Sequence, residues 1–377
     1  MSNFIDDLMD LNPDVQQMFA EPEKTSNVNP DLYKTNPNKV SKDVAPDGHY
    51  YSKVRIIYNP FDKIKSLVST QTYKFNDAQG FFMVDSVLSH GDKNCPFFKA
   101  WKALHYSKDE EKVINYNGQM LNRQEWGDTI FEKNESTYCL VQIIEDQNQP
   151  ELVGRIMGMK LPKHIKTTLM NKMNPTDKSK APVDIMNYLF GPVLAMDVIP
   201  GPDDPSAPER KNREISYTMC QFDESEPQPI IKVDGTQLFT DEELDAINDY
   251  YANKKIASNP KSTAKKKEDA KAKCGALVET IKPMMAKALE YLKENSIDLV
   301  KTFGYKEPTA EQMERAMNWL KVVNQFQDPV TFVVPTLIQE TGNQNTGMPN
   351  IGMGMPYNPT QPIGAPEVME EEDDLPF

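Results

Sequence analysis

Apolar and polar residues alternate along much of the chain between positions 50 and 225, in short runs rich in β-branched and aromatic side chains. Turn-forming residues separate most of these runs, which is typical of short β-strands. The predicted strands cover 53–58, 67–75, 81–88, 137–144, 152–159, 192–198 and 215–222. Helical spacing interrupts them at about 97–104 and 163–173. Several short strands with irregular connections favour a small β-barrel over a parallel α/β sheet.

From Thr240 onward the apolar spacing becomes helical. Thr240 and Glu243 form a capping box, in which two side chains satisfy backbone N–H groups at the start of a helix. Helices are predicted over about 241–255, 264–302 and 309–326, with Pro283 expected to end or kink the second. The chain is therefore predicted to be α+β, with a strand-rich core at 46–235 and a helical region at 236–330.

Both ends of the chain have the composition of arms or tails. Residues 1–45 combine a short acidic amphipathic stretch with a linker rich in Pro and Asn, and 367–377 read EVMEEEDDLPF after a linker at 331–366. A linker followed by a block of like charges is typical of an interaction tail. We expect a disordered tip that binds other proteins through Glu370, Glu371, Glu372, Asp373, Asp374, Leu375, Pro376 and Phe377. A purely solubilising tail is the alternative.

Positive charge is clustered although the formal net charge is −14. Residues 155–180 carry seven cations against Asp177, and 254–273 carry eight lysines against Glu268 and Asp269. Clustered cations bind phosphates by releasing counterions, without reading a base sequence. In the first cluster they alternate with apolar residues, which suits the rim of a groove. The second cluster is typical of an exposed loop running into a helix, and simple solvation is the favoured interpretation there.

Aromatic residues accompany these cations on or beside the predicted strands. Bases stack on such rings for about 1–3 kcal/mol each, whatever the sequence. Strands alternate their faces, so about half of the rings can point into one groove. The rings expected to be exposed for stacking are Tyr73, Tyr106, Tyr138, Tyr217 and Phe222. The cations expected to contact phosphates are Arg55, Lys133, Arg155, Lys160, Lys163 and Lys166.

Catalytic motifs are missing from the sequence. GxxxxGK[ST], HExxH and GxSxG do not occur, and the four histidines are isolated. His90 and Cys95 supply only half of the ligands that structural zinc requires, so no metal, no cofactor and no enzymatic activity are expected. The four cysteines lack CxxC spacing and are expected as free thiols. No signal peptide or apolar span is recognised, so the protein is predicted to be cytoplasmic and not to bind membranes.

Several short motifs follow one another in the order of a known family. They are Val54-Arg55-Ile56-Ile57-Tyr58-Asn59-Pro60, His90-Gly91-Asp92, Cys95-Pro96, Tyr138 with the run to Ile144, Gly158 to Ile165, Pro182-Val183-Asp184 and Phe222-Asp223-Glu224-Ser225. Over about residues 50–230 this order resembles the single-stranded DNA-binding proteins of T-even-like phages. The acidic tip resembles that of bacterial single-stranded DNA-binding proteins.

The resemblance implies an oligonucleotide-binding (OB) fold β-barrel with helical insertions, whose groove takes single-stranded DNA. It also implies a zinc lobe, but only Cys95 of the family's cysteines remains, with Ser86 and Phe98 where others would fall. The family's N-terminal segment is basic and this one is acidic, which leaves cooperative self-association on DNA open.

We therefore interpret the chain as a phage-type protein of the host cytoplasm that coats and protects single-stranded DNA during replication, recombination and repair. Its tip would recruit replication and recombination proteins. The alternative is an acidic adaptor that links replication or virion components without binding nucleic acid.

Overall fold

The computed structural model describes residues 29–90, 93–131, 133–177, 179–200 and 215–330, with only the backbone of His90. These residues belong to one unit of the chain, which ends at Val334. The predictions for the N-terminal arm up to residue 28, for the linker after 330 and for the acidic tip lie outside the described residues.

Strands and helices are mixed along the described chain, so the predicted α+β class is confirmed. The strands are β1 (Leu32–Tyr33), β2 (Tyr50–Ile57), β3 (Val68–Asp77), β4 (Gly80–Asp85), β5 (Ile114–Tyr116), β6 (Gln119–Leu121), β7 (Lys133–Asp146), β8 (Ile156–Lys160), β9 (Val193–Pro200), β10 (Ile215–Ser216) and β11 (Gln221–Asp223). The α-helices are α1 (Pro96–His105), α2 (Arg123–Ile130), α3 (Lys163–Met173), α4 (Asp241–Ser258), α5 (Ala264–Asn295), α6 (Leu299–Phe303) and α7 (Ala310–Asn324).

The long strand β7 lies at the centre of a nine-stranded mixed sheet. One edge of β7 pairs with β2 along its C-terminal half and with β3 along its N-terminal half, while the other edge pairs with β8. β2 also pairs with β9, to which β10 and β11 add, and β1 runs parallel to β8. No pairing between described strands closes this sheet, so the predicted barrel is not shown.

The inner face of the curved sheet encloses one apolar core. Cys139, Val141 and Ile143 of β7 point into it, as the period of two along a strand requires. Tyr33 and Phe222, from strands near opposite ends of the sheet, belong to the same core, so the sheet bends back on itself.

Two further cores join the helices to the strands. On the outer face of β7, Leu140 packs with Ile281 and Leu292 of α5 and Phe303 of α6. In the third core, side chains of β3 and β4 pack with α1, α2 and α7, including Phe75, Phe97, Trp126 and Trp319. The C-terminal helices thus share their apolar cores with the sheet.

Several local predictions can be compared with these elements. The capping box is confirmed, because Glu243 N–H donates to Thr240 Oγ1 at 3.3 Å and Thr240 N–H to Glu243 Oε2 at 2.9 Å. The four cysteines are free. Pro283 does not end the helix, since α5 runs through it, with Ile281 and Met284 buried on either side, while the alternative of a kink stays a prediction. None of the described helices combines the length and apolar character that crossing a membrane requires.

Candidate nucleic-acid interface

A ladder of partly exposed rings runs along α1. Phe98, Trp101 and His105 are spaced by three and four residues and therefore share one helix face. Phe98 and Trp101 stack with centroids 5.7 Å apart, and Trp101 and His105 at 4.6 Å, with interplanar angles of 26° and 22°. Tyr106, which is 66% exposed, meets His105 edge-on at 4.9 Å. We call these four rings the α1 ladder.

Packing and one carboxylate hold the α1 ladder in place. The opposite face of α1 buries Phe97 and Leu104 in the core. Asp128 of α2 accepts a hydrogen bond from Trp101 Nε1 at 3.0 Å, and the same carboxylate oxygen lies 2.8 Å from His105 Nδ1. These contacts therefore fix the orientation of the ring planes relative to α1 and α2.

Lys133, the first residue of β7, adds a cation to the α1 ladder. Its Nζ lies 5.5 Å from the centroid of the Trp101 ring, within the range of a cation–π contact. Lys133, Glu135 and Thr137 share one face of β7, over about 13 Å at about 3.3 Å per residue. This face is polar at this end of β7, whereas the same face carries the inner core from Cys139 onward.

Lys166 of α3 reaches the far end of the same face. Its Nζ donates to Thr137 Oγ1 at 3.0 Å and lies 3.8 Å from Glu135 Oε1. The Ser69 hydroxyl of β3 lies 2.9 Å from that of Thr137. Thr137 itself is buried at 5% exposure, so Ser69 is the exposed one of these two hydroxyl residues. We call Lys133, Glu135, Thr137, Ser69 and Lys166 the β7 strip.

The β7 strip and the α1 ladder together form a surface on which bases could stack and phosphates could be neutralised. The cations Lys133 and Lys166 lie at the two ends of the strip with the Glu135 carboxylate between them in sequence along β7, and the rings lie beside Lys133. Three residues predicted from the sequence meet here: Tyr106, Lys133 and Lys166. Lys163, one turn earlier on α3, is exposed, as predicted for a phosphate contact.

The expected exposure of Tyr73, Phe222 and Arg55 is wrong. Tyr73 and Phe222 are 2% and 9% exposed, because strand alternation turns both rings into apolar cores. Arg55 is fully buried, and its guanidinium donates to the backbone oxygens of Asn187 and Pro192. Burial lowers the pKa of Arg55 to about 9. This arginine supports a loop, and its buried guanidinium does not reach a solvent-facing groove.

The remaining predicted residues are placed away from the β7 strip. Tyr138 points to the opposite face of β7, where its ring stacks on Phe303. Tyr217 and Lys160 line a cavity of about 280 Å³ between β1 and β8 on one side and β9 and β10 on the other. Arg155 is exposed just before β8.

The sequence reasoning missed Phe98, Trp101 and His105, although the helix that carries them was predicted. Their three-and-four spacing was visible in the sequence. An aromatic face on a predicted helix next to Tyr106 is the signal that could have identified the α1 ladder.

Within the described residues, no group of three or more His, Cys, Asp or Glu side chains is arranged to hold a metal ion.

No protein-family model matches the chain, and no curated protein matches its sequence.

Proposed function

We propose that the protein binds single-stranded DNA across the α1 ladder and along the β7 strip. The observation that carries this proposal is the stack of Phe98, Trp101 and His105 with Lys133 at its side and Lys166 at the other end of the strip. Aromatic rings bind bases of any sequence by stacking, and a groove with cations follows the phosphates. Such a surface suits a protein that coats DNA without sequence preference.

The core that carries the strip is proposed to be an OB fold. The proposed barrel consists, in chain order, of β2, β7, β8, β9 and the short strands β10 and β11. Helix α3 lies between β8 and β9 in the chain. β2 lies between β7 and β9 in the sheet, and β8 lies on the other side of β7. An open five-stranded barrel with this connectivity is the proposed framework, and residues 58–132 are an insertion between its first two strands.

In the proposed role the protein protects single strands during replication, recombination and repair in a phage-infected cell. Residues 370–377 would recruit replication and recombination proteins. These assignments extend the binding proposal to a biological setting and depend on it.

A titration of fluorescent oligo(dT) with the full-length protein at two salt concentrations tests the proposal, with duplex DNA as the competitor. We expect strand-selective binding that weakens by orders of magnitude from low to moderate salt, because several phosphates are neutralised. Trp101→Ala should weaken it, whereas Phe81→Ala, at a ring that is 62% exposed on β4, should not. Absence of strand-selective binding would refute the proposal.

A further inference from the structure

A second surface combines rings, cations and a cavity at the C-terminal end of α4. A cavity of about 290 Å³ lies between α4 and the segment 181–190, with Pro182, Phe190, Tyr251 and Lys254 among its walls. A more open cavity of about 640 Å³ adjoins it, and Tyr251 and Lys255 line both. We call the two cavities together the α4 pocket.

Nearly parallel rings and two lysines form the α4 pocket. Phe190 stacks with Tyr250 at 5.0 Å and 23°, and lies 6.4 Å from Tyr251 at 14°. Lys254 Nζ lies 5.6 Å from the centroid of Phe190, and Lys255 Nζ lies 5.5 Å from that of Tyr251. Aromatic faces therefore form part of the pocket wall, with ammonium groups beside them. Lys255 Nζ also donates to the backbone oxygen of Glu224 at 2.9 Å.

Three carboxylates line the α4 pocket, Asp184, Glu224 and Glu226, and the first two are occupied by internal partners. Asp184 accepts from the Tyr58 hydroxyl at 2.7 Å and from Asn187 Nδ2 at 3.1 Å, and Glu224 is paired with Lys172. Beyond the rim, the start of α5 presents the exposed lysines of 261–273. The surface around the pocket thus favours an anionic ligand with an apolar end.

We propose that the α4 pocket binds residues 370–377 of this chain, from the same molecule or from a second copy. This segment reads EEEDDLPF, five carboxylates followed by three apolar residues. Leu375, Pro376 and Phe377 match the aromatic part of a cavity near the lower end of the range for ligand sites, and the carboxylates match the lysines. The inference rests on the proposed role of residues 370–377 as a protein-interaction element.

The length of chain between the described residues and this segment allows the contact. Residues 331–369 separate Val330 from the segment, and a chain spans at most about 3.3–3.6 Å per residue, or roughly 130 Å here. The length of residues 331–369 therefore allows the segment to bind the pocket of its own molecule. The β7 strip also carries cations that the segment could contact, so the two destinations must be distinguished.

Photocrosslinking in the full-length chain distinguishes them. Phe377 is replaced by p-benzoylphenylalanine, the protein is irradiated, and the crosslinked peptides are identified by mass spectrometry at low and high protein concentration. We expect crosslinks to 181–190 and 251–260. A yield independent of concentration would assign the contact to one molecule, and a rising yield to two copies. Crosslinks to 96–106, 133–137 or 163–166, or none within the chain, would overturn the proposal.

Charge reversal supplies the matched control. The double variant Lys254→Glu and Lys255→Glu should lower the crosslink yield at least about tenfold, because like charges then oppose each other across the contact. Lys39→Glu with Lys42→Glu makes the same charge change on exposed residues outside both the pocket and the lysine-rich segment 261–273, and should leave the yield unchanged. An equal loss in both variants would overturn the proposal.

The same proteins are titrated with oligo(dT), which separates this inference from the proposed function. Crosslinks at the α4 pocket without DNA binding would refute the DNA-binding function and leave the pocket assigned. DNA binding with crosslinks at the β7 strip would refute the pocket assignment and leave the function.

Discussion

The ring of Phe303 lies almost flat on the ring of Tyr138, with centroids 4.7 Å apart and planes at 16°. The same phenyl ring occupies the space over Gly158, where an added Cβ would lie 2.0 Å from Phe303 Cε2. Helix α6 therefore covers the outward face of β7 and β8. If the proposed OB fold is correct, β7 and β8 are its second and third strands, whose face binds oligonucleotides in that fold. We accordingly propose that the DNA lies on the other face of β7, where the exposed Lys133 points.

Replacing Phe303 by Ala should lower the free energy of unfolding by about 3–5 kcal/mol, since a buried ring leaves a cavity over Tyr138 and Gly158. It should leave the affinity for oligo(dT) unchanged, because the DNA is proposed to lie on the other face. Chemical denaturation and an oligonucleotide titration measure the two effects. A large gain in affinity would show instead that α6 competes with DNA for the Tyr138 face.

Replacing Trp101 by Ala should weaken DNA binding by about 1–3 kcal/mol, the usual effect of losing one stacking platform. Trp101→Phe keeps a ring but loses the indole N–H bond to Asp128, and should retain most of the affinity. Fluorescence anisotropy with oligo(dT) measures both variants. Equal losses in the two would indicate that the Asp128 contact matters and stacking does not.

Replacing Lys133 by Gln should weaken binding to all single-stranded sequences alike and reduce the slope of log affinity against log salt by about one. The exposed Lys293 provides the control, since Lys293→Gln removes the same charge on α5, which packs against the opposite face of β7. An unchanged salt slope for Lys133→Gln would contradict a phosphate contact at this residue.

The sequence was most informative where side-chain pattern and local capping coincide. The predicted bounds of helices α1, α3 and α4 and of strands β2, β3 and β9 agree with the observed bounds to within a few residues. The short strands β1, β5 and β6 and the helix α2 were missed. Two- and three-residue strands carry no period, and α2 is marked mainly by its capping box at Asn122 and Glu125.

The candidate site was predicted only in part, because a sequence shows alternation along a strand but not which face is covered. Tyr73 looked exposed among polar neighbours, yet its face meets α1 and Phe97. Tyr138 is covered by a helix some 160 residues later in the chain. The sequence around Arg55 predicts a phosphate contact, because no neighbouring residue indicates that the backbone of 187–192 encloses its side chain.

Asp77 at the end of β3 and Arg315 of α7 form an ion pair that joins these two elements of the third core. Arg315 Nε and one terminal nitrogen donate to the two carboxylate oxygens at 3.1 and 2.6 Å, and the Asp77 side chain is 1% exposed. Arg315→Met should destabilise the fold by about 3–5 kcal/mol, because it leaves a buried carboxylate unpaired. Adding Asp77→Asn should cost less than the sum of the single variants. Additive losses in chemical denaturation would contradict direct coupling.

Stability should fall at alkaline pH because buried tyrosines keep their protons in the folded state. Burial raises the pKa of Tyr188 to about 12, and burial also raises the pKa values of Tyr33, Tyr50 and Tyr58, with Asp146 or Asp184 adding to the effect. Above pH of about 10 the unfolded chain loses these protons and the folded chain retains them, so unfolding becomes easier as pH rises.

Urea midpoints measured from pH 8 to 11 should therefore be level at first and fall above about pH 10. Tyr188→Phe should make the fall shallower, since one of the shifted groups is removed. A midpoint that does not fall above pH 10 would contradict the retention of these protons in the folded state.

The most direct test of the DNA path is photocrosslinking of the full-length protein to an oligonucleotide that carries 4-thiothymidine. If single-stranded DNA follows the α1 ladder and the β7 strip, the crosslinked peptides come from Pro96–His105 with Tyr106, from the start of β7 and from α3. Crosslinks confined to Tyr217 and Lys160 beside the cavity between β1 and β10, or to the α4 pocket, would contradict this path.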